Sequence, residues 1–344
     1  MIMRRLIFAV MAVVMALDVA IAQETGKLPR AEATEAQKAE FHKMFPLVWG
    51  HGTDELHALM VLKYGKVIYE ETDPAHTIDE KHVLWSASKT FTATAVGFAV
   101  QDGLLRTSDR MVDIIGDLCP QDRPEWMDEI TVWHLLTMSA GIAGENSSQH
   151  CRRGKLKDWA REILAAPMHF RPGDYFQYNS METYLLSVIV SRVTGERLDK
   201  YLEHKLFEPL GISDWWWEIS PQDYAAGGWG LFISAESLAK MGQFMLQRGV
   251  WNGERLLDAA WFDEAMSPQI MQYKNKEKKG SGEGNQGYGY QMWCCTHGAY
   301  RLDGAWGQYA IIIPEKNAVV VILEHSTNTP EVFKGVWDYI YPNL

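Results

Sequence analysis

Two Ser-x-x-Lys pairs in the chain have the spacing that nucleophilic chemistry asks for. Ser86 and Lys89 lie in LWSASKTFTATAVGFAVQDG, and Ser237 and Lys240 lie in ISAESLAKMGQF. On a helix, positions i and i+3 share a face, so hydroxyl and amine can meet. A lysine held against an apolar wall loses solvation and its pKa falls, which makes it a base able to activate serine without a histidine. The residues after Lys89 are Thr, Ala, Val, Gly and Phe, which suit a helix packed on every side. The second pair sits among charged neighbours with helical period. It reads as a surface lysine near a helix start, with Ser234 as N-cap. Spacing alone favours neither pair, so the expectation of chemistry at Ser86 depends on partners elsewhere in the chain.

The elements that would position such a pair can be read in outline. The chain has 344 residues, enough for one large or two moderate domains. Arg4 and Arg5, an apolar run from Leu6 to Leu17, and Ala20-Ile21-Ala22 read as a secretory signal peptide over residues 1–22, cut before Gln23. The run is short for a membrane span and ends at Asp18, so no stable span is expected after cleavage. The formal charge is −11, which argues against a nucleic-acid partner. The four cysteines, Cys119, Cys151, Cys294 and Cys295, would enter a compartment where disulfides persist. Of the three possible connectivities, Cys119 with Cys151 is preferred, because both fall in one middle segment. The cysteines lack C-x-x-C spacing, and HGTDELH, from His51 to His57, fits no zinc pattern.

HALMVLKYGKVIYEE reads as a hairpin turning at Tyr64-Gly65-Lys66. From about Leu104 to Tyr224 the pattern is helical: ITVWHLLTMSAG opens at a Thr131 cap, and SMETYLLSVIVSRVTG ends at Gly195. Residues 271–287 are polar and glycine-rich and read as a solvated loop, or as a lid over a site. GYGYQMWCC, AYRLDGAWGQYAIIIP and NAVVVILEH read as strands, followed by a closing helix, PEVFKGVWDYIY. Strands at both ends with helices between them predict an α+β fold. An antiparallel sheet is built from residues 23–103 and 225–344 and flanked by helices, and an all-helical lobe, 104–224, is inserted into it.

Taken in order, four stretches resemble the serine β-lactamase and penicillin-binding-protein superfamily, in its class C-like branch with the esterases and 6-aminohexanoate-dimer hydrolases. SASKTFTATAVGFAVQDGLL resembles the first motif, which implies Ser86 as acylated nucleophile and Lys89 as its partner. LLTMSAGI resembles the helix-end landmark that follows. RPGDYFQYNSMETYLLS resembles the second motif, usually Y-x-N, with Tyr178 as its tyrosine; Ser180 stands where the motif has Asn, and Tyr175 is assigned to packing. A phenol beside an ammonium is pushed toward phenolate, so Tyr178 and Lys89 are expected to share one mobile proton. Asn179 with Glu182 also fits a capping box, a competing structural role for Asn179 and Ser180.

GAWGQYAIIIPEKNAVVVIL resembles the third-motif strand, but the K-T-G lysine is absent. A gapless match sets Ala299-Tyr300-Arg301 there, with Leu302 as second oxyanion donor. A match with a shorter turn uses Asp303-Gly304-Ala305 and is preferred, because Gly304 and Gly307-Gln308 then follow that branch's G-x-x-G-Q. The resemblance then implies an oxyanion hole made by the N–H groups of Ser86 and Ala305. It also implies substrate contacts at Ser180, Gly304 and Gln308. Gly304 would let substrate lie close against the strand, and Arg301 either replaces the missing cation or pairs with Asp303.

No G-x-S-x-G elbow occurs, which excludes an α/β-hydrolase pattern. The expectation is a secreted or periplasmic serine hydrolase that cleaves amide or ester bonds of a small-molecule or peptide acyl substrate, with no cofactor. The alternatives are a penicillin-binding receptor or scaffold with little turnover, and a true β-lactamase, which the absent lysine disfavours.

Overall fold

The structure is a computed structural model and describes residues 26–49, 55–144, 147–272, 282–327 and 329–344. The signal segment, His51 and most of the polar stretch 271–287 lie outside the described residues. No helix among the described residues is long and apolar enough to cross a membrane.

The strands are β1 (Glu55–Lys63), β2 (Lys66–Thr72), β3 (His82–Val83), β4 (Trp216–Trp217), β5 (Leu231–Ile233), β6 (Val250–Trp251), β7 (Glu254–Arg255), β8 (Trp293–Cys294), β9 (Tyr300–Gly304), β10 (Gln308–Ile313) and β11 (Ala318–His325). Six of them form an antiparallel sheet in the order β2-β1-β11-β10-β9-β8, so the two ends of the chain do meet in one sheet. A second, small sheet runs β3-β5-β4, and β6 pairs with β7. The expected turn at Tyr64-Gly65 joins β1 to β2, with both residues at positive φ.

The large sheet is covered on both faces. Ala58, Met60 and Leu62 of β1, Ala310 and Ile312 of β10, and Val319, Val321 and Leu323 of β11 pack into the core shared with the helical lobe. The alternate residues, Leu59 and Val61, Ile311 and Ile313, Val320 and Ile322, pack into a second core with Phe41, Phe45, Phe333 and Val336. Successive side chains of a strand point to opposite faces, so burying both faces demands the unbroken apolar runs YAIIIP and AVVVIL. Helices α1 (Glu35–His42) and α6 (Thr329–Gly335) belong to the second core. Between them in sequence come α2 (Ser88–Gln101), α3 (Val132–Leu136), α4 (Ser180–Thr194) and α5 (Ala235–Leu246).

Helix α2 is buried continuously from Ser88 to Ala99, as its apolar composition predicts. Each fully buried phenylalanine, Phe91 or Phe98, stabilises the fold by about 1.5–3 kcal/mol. Gly97 sits where a Cβ would come within 2.7 Å of the Trp261 ring, so α2 cannot accept a larger residue there. Helix α4 starts at Asn179, whose side chain accepts from the Met181 N–H, and stops at Gly195 in the left-handed region, φ 74°. Thr131 caps α3 and Ser234 caps α5 as expected.

Three expectations require correction. Cys119 and Cys151 are not joined: the Cys119 sulfur lies against the Ile115 carbonyl at 4.0 Å, and that of Cys151 is 3.9 Å from the Met181 sulfur. The Asn179–Glu182 capping box does not form, because the Glu182 side chain turns inward and accepts from the Ala140 N–H at 3.4 Å. Lys240 is not a surface residue; it is buried, and its Nζ donates to the Gly211 carbonyl. Helix α5 lies between the large sheet and the rest of the core, with Val319 of β11 so close to Gly242 that a Cβ there would lie 2.6 Å from it.

Candidate active site

Ser86 occupies the single 3-10 turn Trp85–Ala87 that leads into α2. The preceding Trp85 has φ 48°, a left-handed conformation that a bulky residue rarely adopts. Two contacts hold the approach to it. The Leu84 N–H donates to Leu231 O of β5, and the Leu84 carbonyl lies where a Cβ on Gly304 would be, 2.1 Å away. The Trp85 ring carries the Arg152 guanidinium 4.0 Å from its centroid. The turn is thus clamped between the small sheet and the end of β9 with Ser86 half-buried.

Lys89, one turn into α2, is fully buried. Its Nζ lies 3.0 Å from Ser86 Oγ, 2.9 Å from Ser180 Oγ and 2.5 Å from the Gly228 carbonyl oxygen. Burial pulls the amine down to about 7, and Asp303 opposes that only in part. A neutral amine has two N–H donors and one lone pair. Gly228 O can only accept, and if Ser180 Oγ takes the second N–H, the lone pair is left for the Ser86 hydroxyl proton. Three contacts on one nitrogen thereby fix the direction in which a proton can move.

Tyr178 joins this group from the other side. Its ring centroid is 5.0 Å from Lys89 Nζ, and its hydroxyl lies beside Ser86. Trp293 stacks on it at 5.7 Å, and Tyr288 meets it edge-on at 6.4 Å. The expected drift of this phenol toward phenolate does not occur. Burial pushes Tyr178 up, and the neighbouring Ser86 only partly offsets that. At neutral pH the phenol keeps its proton while Lys89 is the group poised to accept one.

The remaining predicted residues separate into two sets. Ser180, at the first position of α4, is brought to Lys89. Gly304 is pressed against the Leu84 backbone, so its missing side chain makes room for the chain itself. That contact fixes the end of β9, after which Ala305 begins an exposed turn beside the segment carrying Ser86. Gln308 is buried beneath that turn, and its amide donates to Trp306 O at 3.1 Å and Glu324 O at 2.6 Å, which braces the turn. Arg301 pairs with Asp303 at 2.8 Å and also donates to the Glu283 carbonyl and to Cys295 Sγ. It is therefore engaged in the protein, as the pairing alternative expected. Tyr175 is exposed and packs its ring edge-on to Phe170.

Sequence reasoning missed Gly228, Trp293 and Tyr288. Gly227-Gly228 carried a signal. A Cβ at Gly228 would lie 2.4 Å from Ser180 O, and one at Gly227 would lie 2.7 Å from Thr92 Oγ1, so only glycines admit this loop between α2 and α4. A groove lined by Lys27, Leu28, Tyr64, Lys240 and Trp251 lies elsewhere and includes none of the Ser86 cluster.

A family model described as Beta-lactamase matches residues 57–341. The chain belongs to the beta-lactamase family. A 6-aminohexanoate-dimer hydrolase of Paenarthrobacter ureafaciens is 24% identical over 284 residues, covering 77% of this chain and 71% of that protein. Protein flp of Staphylococcus aureus (strain COL) is 25% identical over 170 residues, 45% of this chain and 33% of that protein, so the match spans about a third of that relative. Among solved structures, EstCE1, a hydrolase with promiscuous acyltransferase activity, superposes with a TM-score of 0.72 at 17% identity, covering 88% of this chain and 99% of that one. The octameric penicillin-binding protein homologue from Pyrococcus abyssi gives 0.67 at 20% identity, covering 88% and 75%. At such identities these two show the beta-lactamase fold, which agrees with the sheet and helical lobe expected from the sequence.

Proposed function

We propose that this family member is an exported serine hydrolase that opens amide or ester bonds through an acyl-enzyme on Ser86. The observation that carries the proposal is the amine of Lys89, buried and pulled down to about 7, 3.0 Å from the Ser86 hydroxyl. As Ser86 Oγ attacks a carbonyl carbon, its proton passes to Lys89 Nζ. The oxyanion that forms accepts from the backbone N–H groups of Ser86 and Ala305. The Tyr178 hydroxyl then protonates the departing amine or alcohol and recovers a proton from the Lys89 ammonium. In the second half the same groups deprotonate water, which attacks the acyl carbon and releases Ser86 with its proton restored. Ser180 holds Lys89 in orientation throughout.

Two observations support small acyl esters or amides as substrates over β-lactams. Arg301 is committed to Asp303, and the wall opposite Lys89 is aromatic, formed by Tyr178, Trp293 and Tyr288. The 6-aminohexanoate-dimer hydrolase among the relatives points toward linear amides. Export rests on the N-terminal segment, and intact mass of the secreted product should place its first residue at Gln23.

The decisive experiment treats the mature protein with a fluorophosphonate probe and with p-nitrophenyl esters. One-to-one labelling on the Ser86 peptide, together with ester turnover, is expected, and Ser86→Ala should lose both while keeping its melting temperature. Labelling of a folded protein without turnover would reassign it as a receptor. Turnover that survives Ser86→Ala would remove the proposal.

A further inference from the structure

Three histidines distant in sequence converge beside the β1–β2 hairpin and β3. His57 is on β1, His76 is in the turn after β2, and His82 opens β3. The turn is tied to β1 by backbone bonds: Asp73 N–H donates to His57 O at 3.1 Å, and His76 N–H donates to Asp73 O at 3.0 Å. The His57 and His76 rings stack with centroids 3.9 Å apart, and His82 lies 5.3 Å from the first and 5.9 Å from the second. One ring nitrogen from each lies within 4.8 Å of the other two.

The hydrogen bonding is lopsided. His76 Nδ1 is hydrogen-bonded to Glu80 Oε2 at 2.9 Å, and Glu55 Oε2 stands 3.6 Å from His57 Nε2, so carboxylates lie beside the outer nitrogens of two rings. Buried His57 Nδ1 and His82 Nε2 have no partner among the described residues. Buried polar atoms are nearly always partnered, and two orphans in one cluster call for an occupant. A neutral imidazole nitrogen turned inward with its second nitrogen on a carboxylate is the arrangement that metal-binding histidines adopt.

We propose that His57, His76 and His82 bind a divalent transition-metal ion of the imidazole-preferring class, Zn2+ foremost, through His57 Nδ1, His76 Nε2 and His82 Nε2, with water as fourth ligand. Tetrahedral zinc with bonds of about 2.0–2.1 Å sets its nitrogens about 3.4 Å apart, so the rings need only small rotations to close on it. The ion ties β1, the turn after β2 and β3 together; it does not touch the Ser86 chemistry.

The test uses untagged, metal-stripped mature protein titrated with Co2+ and then Zn2+. Expected are the visible absorption of tetrahedral Co2+, its displacement by equimolar Zn2+, and a melting temperature that rises with Zn2+ and falls back with chelator. His76→Gln, at a half-buried ring, and His82→Gln should each weaken binding by about a hundredfold or more, and Glu80→Gln by about 10–100-fold. His204→Gln, on an exposed ring, should leave binding unchanged. Absence of both the cobalt spectrum and the zinc-dependent stabilisation in the unaltered protein overturns the proposal. So does undiminished affinity in His76→Gln, whose fold is checked by circular dichroism.

Discussion

The two Ser-x-x-Lys pairs differ less in their lysines than in their serines. Lys89 and Lys240 are both buried, both are pulled down by desolvation, and both donate to a glycine carbonyl at 2.5 Å, Gly228 in one case and Gly211 in the other. Ser237, however, is the third residue of α5. Its N–H is taken by the Ser234 cap and its hydroxyl donates to Asp214 at 2.5 Å. Ser86 stands before its helix, in a turn forced open by Trp85, with its hydroxyl facing the amine. Lys240 also has Glu236 and Asp214 as charged neighbours, whereas Lys89 has only Asp303 acting on it from a distance. A depressed lysine is therefore not a site in itself. It becomes one when its lone pair is aimed at a hydroxyl that nothing else has captured.

Substitutions can break this contrast. Lys89→Met keeps the volume and removes the base, so kcat/KM for an ester should fall by about 10²–10⁴-fold, read by steady-state kinetics. If the loss were small, the proton must leave Ser86 by another route. The pH profile sharpens the same point. Because burial lowers Lys89, the amine is protonated and inactive below its pKa, and kcat/KM should climb with pH through a single limb near 7. Tyr178→Phe should depress the plateau yet leave that limb in place, since the phenol does not titrate there; a limb that moved would make Tyr178 the base. Lys240→Met should leave kcat/KM and its pH profile untouched. By stranding the Gly211 carbonyl it should cost about 1–3 kcal/mol of stability, measured by denaturant unfolding. Equal catalytic loss from the two lysine variants would erase the distinction.

What the sequence exposes and what it hides follow from the range of the forces involved. Strands β10 and β11 are legible because a sheet covered on both faces requires uninterrupted apolar runs. The caps at Thr131, Asn179 and Ser234 are legible because a cap is satisfied within three residues. Lys240 is misread because the charged residues around it in sequence also turn inward, Glu236 bonding to Arg30 and to the Leu28 N–H. The short strands β3 and β5 carry too few residues for periodicity to register, yet they hold the Leu84 approach to the nucleophile. The histidine cluster is invisible for a related reason: positions 57, 76 and 82 follow no ligand spacing, and only the fold of the hairpin unites them. The bracing contacts of Gly304 and Gln308 at the strand end are likewise hidden, because both partners, Leu84 and Glu324, are distant in sequence.

The floor beneath Ser86 is built from main-chain atoms: the Gly228 carbonyl, the Leu84 carbonyl and the Gly304 carbon pressed against it. Point mutation of the surrounding residues leaves such a surface nearly as it was, so long as Gly228 and Gly304 stay glycine. Evolutionary or laboratory drift in what this cleft accepts must therefore work from its aromatic wall, through Trp85, Tyr288 and Trp293, while the cradle of Ser86 is inherited intact.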